Sequence, residues 1–233
     1  RLGTAVIVLP WHNPVLLAEQ AATLDLISGG RLDFGVGKGY RHNEFAGFRI
    51  PMEEAEPRFE ESIEVMTKAF VSRTRFSHRG KFWQFDDIVV EPPPSQQPHP
   101  PFWIAAASEA SIRRAAQRGF NLILDQYASP DELGRRIALY RAERLTSGEG
   151  FDPMQVTVAR QLYVAKDKAE AEAALQRAAE YTKRTVDVSR VPGSKTGSHV
   201  LSYVATPGAT EANALYDTPD NICEKLDAHR KAG

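Results

Sequence analysis

Apolar and polar positions along this chain fall into alternating blocks with two periods. Leu2 to Leu9 is a continuous apolar run with β-branched residues, closed by Pro10. That is the pattern of one strand buried on both faces in a parallel sheet. Asn13-Pro14 then opens a helix, with Asn13 as N-cap and Pro14 at the first helical position. Its stripe is Leu17, Ala21 and Leu24, and Gly29-Gly30 ends it. Leu32 to Val36 is the next strand. Pro57 opens a second helix, with Phe59, Ile63, Met66 and Phe70 on one face. Phe76 to Val90 reads as a hairpin insertion turning near Arg79-Gly80, followed by the extended connector "EPPPSQQPHPP".

Strand and helix then alternate again. Phe102 to Ala107 is a strand, and Ser108 to Arg118 a helix with Ile112, Ala115 and Ala116 inward. Asn121 to Leu124 is a strand, and Pro130 to about Leu145 a helix. Val156 to Ala165 is a strand, and Asp167 to about Lys183 a helix with Ala171, Ala174, Leu175 and Ala178 on one face. Thr185 to Asp217 is rich in Gly, Ser, Thr and Pro and reads as a long flexible excursion, a mobile lid. A last helix starts at Pro219, capped by Asp217 or Thr218. Five strands alternating with helices predict an α/β fold with a parallel sheet.

Composition narrows the function. A net charge of −1 over 233 residues argues against a general binder of nucleic acid or anionic membranes. No apolar run approaches the roughly 18 residues of a spanning helix. The single cysteine, Cys223, suits a reducing, cytoplasmic setting and reads as a small buried residue. The six histidines lack metal-ligand spacing, so no metal is expected. The chain opens inside a strand-like run, so no signal peptide is expected at this start, and missing ends are.

The stretch "RLDFGVGKGY", Arg31 to Tyr40, fits neither common nucleotide loop. A dinucleotide fingerprint needs glycine at Tyr40. A phosphate loop needs glycine at Leu32 and a hydroxyl residue at Gly39. The wider context is more specific. Leu2-Gly3-Thr4-Ala5 with Leu9-Pro10, Asn13-Pro14 with Ala18-Glu19, and Leu24-Asp25 with Ser28-Gly29-Gly30-Arg31 precede Gly35 to Tyr40 and Glu44-Phe45. Arg58-Phe59-Glu60, "PFWIAAASEAS" and "DTPDNICEKL" follow. Together these resemble the bacterial luciferase-like, flavin-dependent monooxygenases, over most of the chain and least in Thr185 to Asp217.

The resemblance implies a (β/α)8 TIM barrel, with residues 1–233 as a single incomplete barrel domain. In that register the chain begins at the third strand and stops before the eighth, so N- and C-terminal parts are missing. It implies a two-component monooxygenase that uses reduced FMN and O2 on a small organic substrate. A separate NAD(P)H-dependent flavin reductase and a homodimer are the implied partners. Two alternatives stay open: hydride transfer with a deazaflavin coenzyme, or a flavin-binding homologue without turnover.

Each candidate site residue has a plainer reading beside the functional one. Lys38 follows a strand end and is either a cation for the flavin phosphate or a solvated lysine. Gly37 and Gly39 allow close approach or serve a turn. Tyr40 and Arg41 line the entrance or pack on the surface. Ser108 and Ser111 hold phosphate at a helix start, or Ser108 is only an N-cap. Ala106 and Ala107 leave room for the isoalloxazine or fit the barrel core. Ala5-Val6 lies where the family has a non-prolyl cis peptide beneath the flavin. Trp11 reads as rim structure and His12 as a possible proton donor. The family's usual catalytic histidine lies upstream of this chain. Asp86-Asp87 reads as a solvated loop, and Asp125 as a strand-end acid able to reach the pocket.

Overall fold

A strand needs a neighbour for every second backbone group, and the partners decide where the apolar runs become strands. In a computed structural model of the protein, which describes residues 1–189 and 213–232, the first apolar run is not one strand. It forms β1 (Leu2–Gly3) and β2 (Ile7–Val8), both parallel to β3 (Leu32–Gly37). Leu2 pairs with Leu32 and Gly3 with Asp33, whereas Ile7 pairs with Val36. From Gly3 to Ile7 the chain takes four steps while β3 takes three from Asp33 to Val36. The surplus residue breaks the ladder at Thr4–Val6. There the Thr4 hydroxyl donates to the Gly35 carbonyl (2.7 Å), and the Ala5–Val6 peptide is cis. The expected burial on both faces also fails: Leu2 is exposed, and Ile7 and Val8 are only half-buried.

Helix α1 (Pro14–Ile27) starts as its letters predict. Asn13 Oδ1 accepts from the Val15 and Leu16 amides (3.0 and 3.2 Å), which satisfies two donors of the first turn. Gly29 and Gly30 follow with φ of +66° and +72°. Helix α2 (His42–Gly47) is a short turn with no periodic signal and was not anticipated. Helix α3 (Ala55–Val71) begins two residues before Pro57, whose missing N–H falls in the first turn, where no intrahelical acceptor is needed. Its predicted stripe, Phe59, Ile63, Met66 and Phe70, is buried. The hairpin is β4 (Phe76–Arg79) with antiparallel β5 (Gln84–Ile88). The next strand, β6 (Phe102–Ala105), stops two residues early and pairs parallel with β3. Phe34, Phe70 and Phe102 meet with ring centroids 5.7–6.4 Å apart. Each such buried ring contributes about 1.5–3 kcal/mol. Asp25, fully buried on α1, accepts from the Gln96 amide and side chain (2.8 and 2.7 Å), fastening the proline-rich connector.

The remaining elements are α4 (Glu109–Gln117), β7 (Asn121–Leu124), α5 (Pro130–Thr146), β8 (Val156–Val158), β9 (Leu162–Val164), α6 (Lys168–Ser189), β10 (Leu215–Asp217) and α7 (Pro219–Ala232). The single strand expected over Val156 to Ala165 is two, because the partner changes. β8 pairs with β7 and β9 with β10, both parallel. Helix α6 runs beyond Lys183 to Ser189, so the expected excursion begins as helix and ends as β10. Its central part, with the mobile-lid expectation, lies outside the described residues. Cys223 is exposed, contrary to expectation. On α7 the buried position is Ile222, and its neighbour sits about 100° round the helix.

Chain contacts divide these elements into two compact units, Arg1–Gly39 with Glu44–Ala105, and Tyr40–Asn43 with Ala106–Gly233.

Candidate functional site

The candidate residues divide between the units. Ala5, Val6, His12, Gly37, Lys38 and Gly39 belong to the first, and Tyr40, Ala106, Ala107, Ser108 and Ser111 to the second.

In the first unit, the end of β3 carries the glycines because side chains already fill the space beside it. A Cβ on Gly37 would lie 2.9 Å from Val6 Cγ2 and 3.7 Å from the Ala105 Cβ. Val6, Gly37 and Ala105 thus form one closely packed patch of small surface. Gly39 has φ +78°, and a Cβ there would meet Val8 and Phe45 at 2.7 and 2.8 Å. The Lys38 ammonium pairs with the Glu56 carboxylate, and both groups are exposed. Such a surface pair is worth about 0–1 kcal/mol, so Lys38 can exchange it for a stronger anion. Trp11 stacks on Phe48 (4.9 Å) and meets Phe45 edge-on (5.4 Å), as a structural rim residue does. His12 is exposed as a residue, yet partial burial of its ring holds its pKa below the ordinary imidazole value. That burial favours the neutral imidazole.

In the second unit, Ser108 is the N-cap of α4. Its Oγ accepts from the Ser111 amide (3.3 Å) and lies 2.9 Å from Ser111 Oγ. The Ser111 hydroxyl donates to the Ser108 carbonyl (2.8 Å), so the proton between the two hydroxyls belongs to Ser108. Ser108 is exposed and Ser111 half-buried. An incoming anion needs only a rotation of the Ser108 hydroxyl, with no heavy-atom movement. The adjacent Glu109 is charge-balanced by Arg113 (3.8 Å), which also pairs with Glu143. Ala106 is buried, and its amide donates to the Ile123 carbonyl (3.2 Å). Ala107 is half-buried. Arg41 stands 5.6 Å from the Tyr40 ring centroid, a cation–π contact.

Asp125 is not a poised acid. It ends the β7 segment and accepts from the Tyr127 and Ala128 amides (2.8 and 3.0 Å) and from Arg136 (2.6 Å). Arg136 also donates to Glu132 (2.9 Å). These groups line a cavity of about 280 Å³ together with Tyr127 and Ser129. Burial raises the Tyr127 pKa, so its phenol stays protonated at neutral pH. Arg160 donates to the Asp125 and Ala128 carbonyls, and its burial lowers its pKa. Arg160 carried no sequence signal, because its partners Asp125, Ala128 and His229 lie in other elements. Asp86 and Asp87 sit exposed on the hairpin, paired with Arg79 and Arg75.

Among the described residues, no group of three or more acidic, histidine or cysteine side chains could hold a metal ion. No described helix is long and apolar enough to cross a membrane.

The family model for luciferase-like monooxygenases matches residues 1–233. The chain is 31% identical over 176 residues to the oxygenase component of a flavin-dependent trigonelline monooxygenase from Acinetobacter baylyi, covering 75% of this chain and 48% of that protein. The chain spans about half the length of the curated relatives it matches first. The monooxygenase RslO1 from Streptomyces bottropensis superposes with a TM-score of 0.83 at 29% identity, covering all of this chain and 68% of that one. An F420-dependent secondary alcohol dehydrogenase shares the fold, with a TM-score of 0.77 at 17% identity over 99% of this chain and 70% of that one. The chain carries the luciferase-like α/β fold, and it belongs to the luciferase-like monooxygenase family.

Proposed function

We propose that this chain is part of a flavin-dependent monooxygenase that takes reduced FMN from a separate NAD(P)H-dependent reductase and oxygenates a small organic substrate. The observation that carries the reading is the pair of adjacent hydroxyls, exposed Ser108 and half-buried Ser111, at the start of α4. Helix N–H groups and the dipole favour an anion there. The flavin phosphate is that anion; Lys38, in the first unit and paired with Glu56, is a separate candidate cation. Ala106 and Ala107 leave space for the ring system. Val6, Gly37 and Ala105 form a separate closely packed apolar patch within the first unit. When bound, reduced FMN supplies the electrons that activate O2. The protein's part is to orient the two reactants and exclude water.

The fold is shared by a protein using another coenzyme, so cofactor choice needs a direct measurement. The test is a pair of fluorescence titrations of the full-length protein, with FMN and with the deazaflavin coenzyme, repeated with Ser108→Ala. FMN binding weakened about tenfold by the substitution, the loss of one charge-assisted hydrogen bond, supports the reading. Preference for the deazaflavin replaces oxygen chemistry with hydride transfer. Binding of neither overturns the cofactor assignment.

A further inference from the structure

We infer that Arg160 is the positioning residue of the loop Asp125–Ala128, and that its hold is released when His229 takes up a proton. Donors and acceptors fix the His229 tautomer. The His229 Nδ1 lies 2.8 Å from the Lys225 carbonyl, which can only accept. Nδ1 therefore carries the proton. The other ring nitrogen, Nε2, lies 2.9 Å from Arg160 Nε, which can only donate. Nε2 therefore offers its lone pair. The contact exists only for the neutral imidazole with hydrogen on Nδ1. A proton on Nε2 would set N–H against N–H and one cation against another.

Arg160 is the right residue to transmit this. Its Nη1 donates to the Asp125 and Ala159 carbonyls (both 3.0 Å) and its Nη2 to the Ala128 carbonyl. One guanidinium thus ties the segment after β7 to the segment after β8 and to α7. The loop's other ties are the Asp125 carboxylate, held by Arg136, and the Asn213 side chain, which donates to the Tyr127 carbonyl (2.9 Å). The remaining charges around the joint are committed elsewhere. On α7, Lys225 pairs with Asp217 of β10 (3.1 Å), and Asp227 pairs with Arg230 and Lys231 (2.6 and 2.7 Å). On α5, which packs against α7, Arg136 holds Asp125 and Glu132, and Arg135 holds Glu132. His229 is the titratable side chain hydrogen-bonded to Arg160, and the Asp125 carboxylate is a second charge that acts on it. The consequence is a strand-end loop, carrying Tyr127, that is ordered at neutral pH and loosened by acid. This inference stands whether or not the chain binds FMN.

The experiment is nuclear magnetic resonance on the full-length protein. Long-range nitrogen–proton correlations should show His229 neutral with hydrogen on Nδ1 at neutral pH. Hydrogen-exchange protection of the Tyr127 and Ala128 amides should fall about threefold to tenfold on acidification, as loss of one hydrogen bond implies. In His229→Gln the amide oxygen still accepts from Arg160 but does not titrate, so the acid-dependent fall should shrink. Arg160→Gln should show the reduced protection at every pH. Asp125 is present in all these proteins, so the difference between wild type and His229→Gln isolates the imidazole. The inference is overturned by hydrogen on Nε2 at neutral pH, by the same acid profile in wild type and His229→Gln, or by unchanged protection in Arg160→Gln.

Discussion

Replacing Gly39 by alanine tests the strand end most sharply. Two separate costs arise there. At φ +78° an L-residue loses about 1–2 kcal/mol relative to glycine. The new methyl would also sit 2.7 Å from Val8 Cγ1 and 2.8 Å from Phe45 Cε2, and Phe45 is buried and cannot swing away. Overpacking of this kind costs about 1–3 kcal/mol. The sum is roughly 2–5 kcal/mol, a large fraction of a domain's stability. Gly37→Ala, by contrast, has no positive φ and only one contact under 3 Å, to Val6 Cγ2, so it should cost ~1 kcal/mol. Adding Val8→Ala to Gly39→Ala relieves one clash but not the backbone term, so recovery should be partial. Urea unfolding followed by tryptophan fluorescence measures all three. The reasoning fails if Gly39→Ala unfolds within about 0.5 kcal/mol of wild type, or if Gly37→Ala is the more damaging change.

Three further outcomes follow from single contacts. Glu61 accepts from the Phe82 and Trp83 amides (3.0 and 2.7 Å), which are part-buried, so Glu61→Ala should destabilise by roughly 2–4 kcal/mol in the same assay. Asn13→Ala removes the cap of α1 and should cost about 1 kcal/mol, with Asn13→Asp close to neutral; equal losses for both would contradict the capping role. Asp217 accepts from the Asn221 side chain and the Thr218 amide and pairs with Lys225, which lowers its pKa to about 2. Its folded value lies below the unfolded value of about 3.9, so its contribution is present above that pH and is lost as pH falls through the folded value. Asp217→Asn should therefore flatten the acid limb of the stability–pH curve, and an unchanged limb would remove Asp217 from the account.

The local features of this chain were legible in its letters. Asn13-Pro14, the Phe59–Phe70 stripe, Ser108 ahead of α4 and Gly29-Gly30 after α1 all act within one or two helical turns, where neighbours in sequence are neighbours in space. The same holds for the candidate hydroxyl pair, Ser108 and Ser111, three residues apart. The motifs from Leu2 to Phe48, with those at Arg58–Glu60, Pro101–Ser111 and Asp217–Leu226, together pointed to the family. What only the tertiary structure decided concerns partners. The surplus residue that divides β1 from β2 exists only relative to β3. The division of β8 from β9 exists because each pairs with a different strand. The outward face of Cys223 follows from which side of α7 is covered. Arg160 and His229 meet across 69 residues, and the role of Asp125 changed from candidate acid to loop anchor once Arg136 was seen beside it. Periodicity reports which side of an element is apolar. It carries no record of which distant donor will meet which acceptor, and at this site that pairing sets the chemistry.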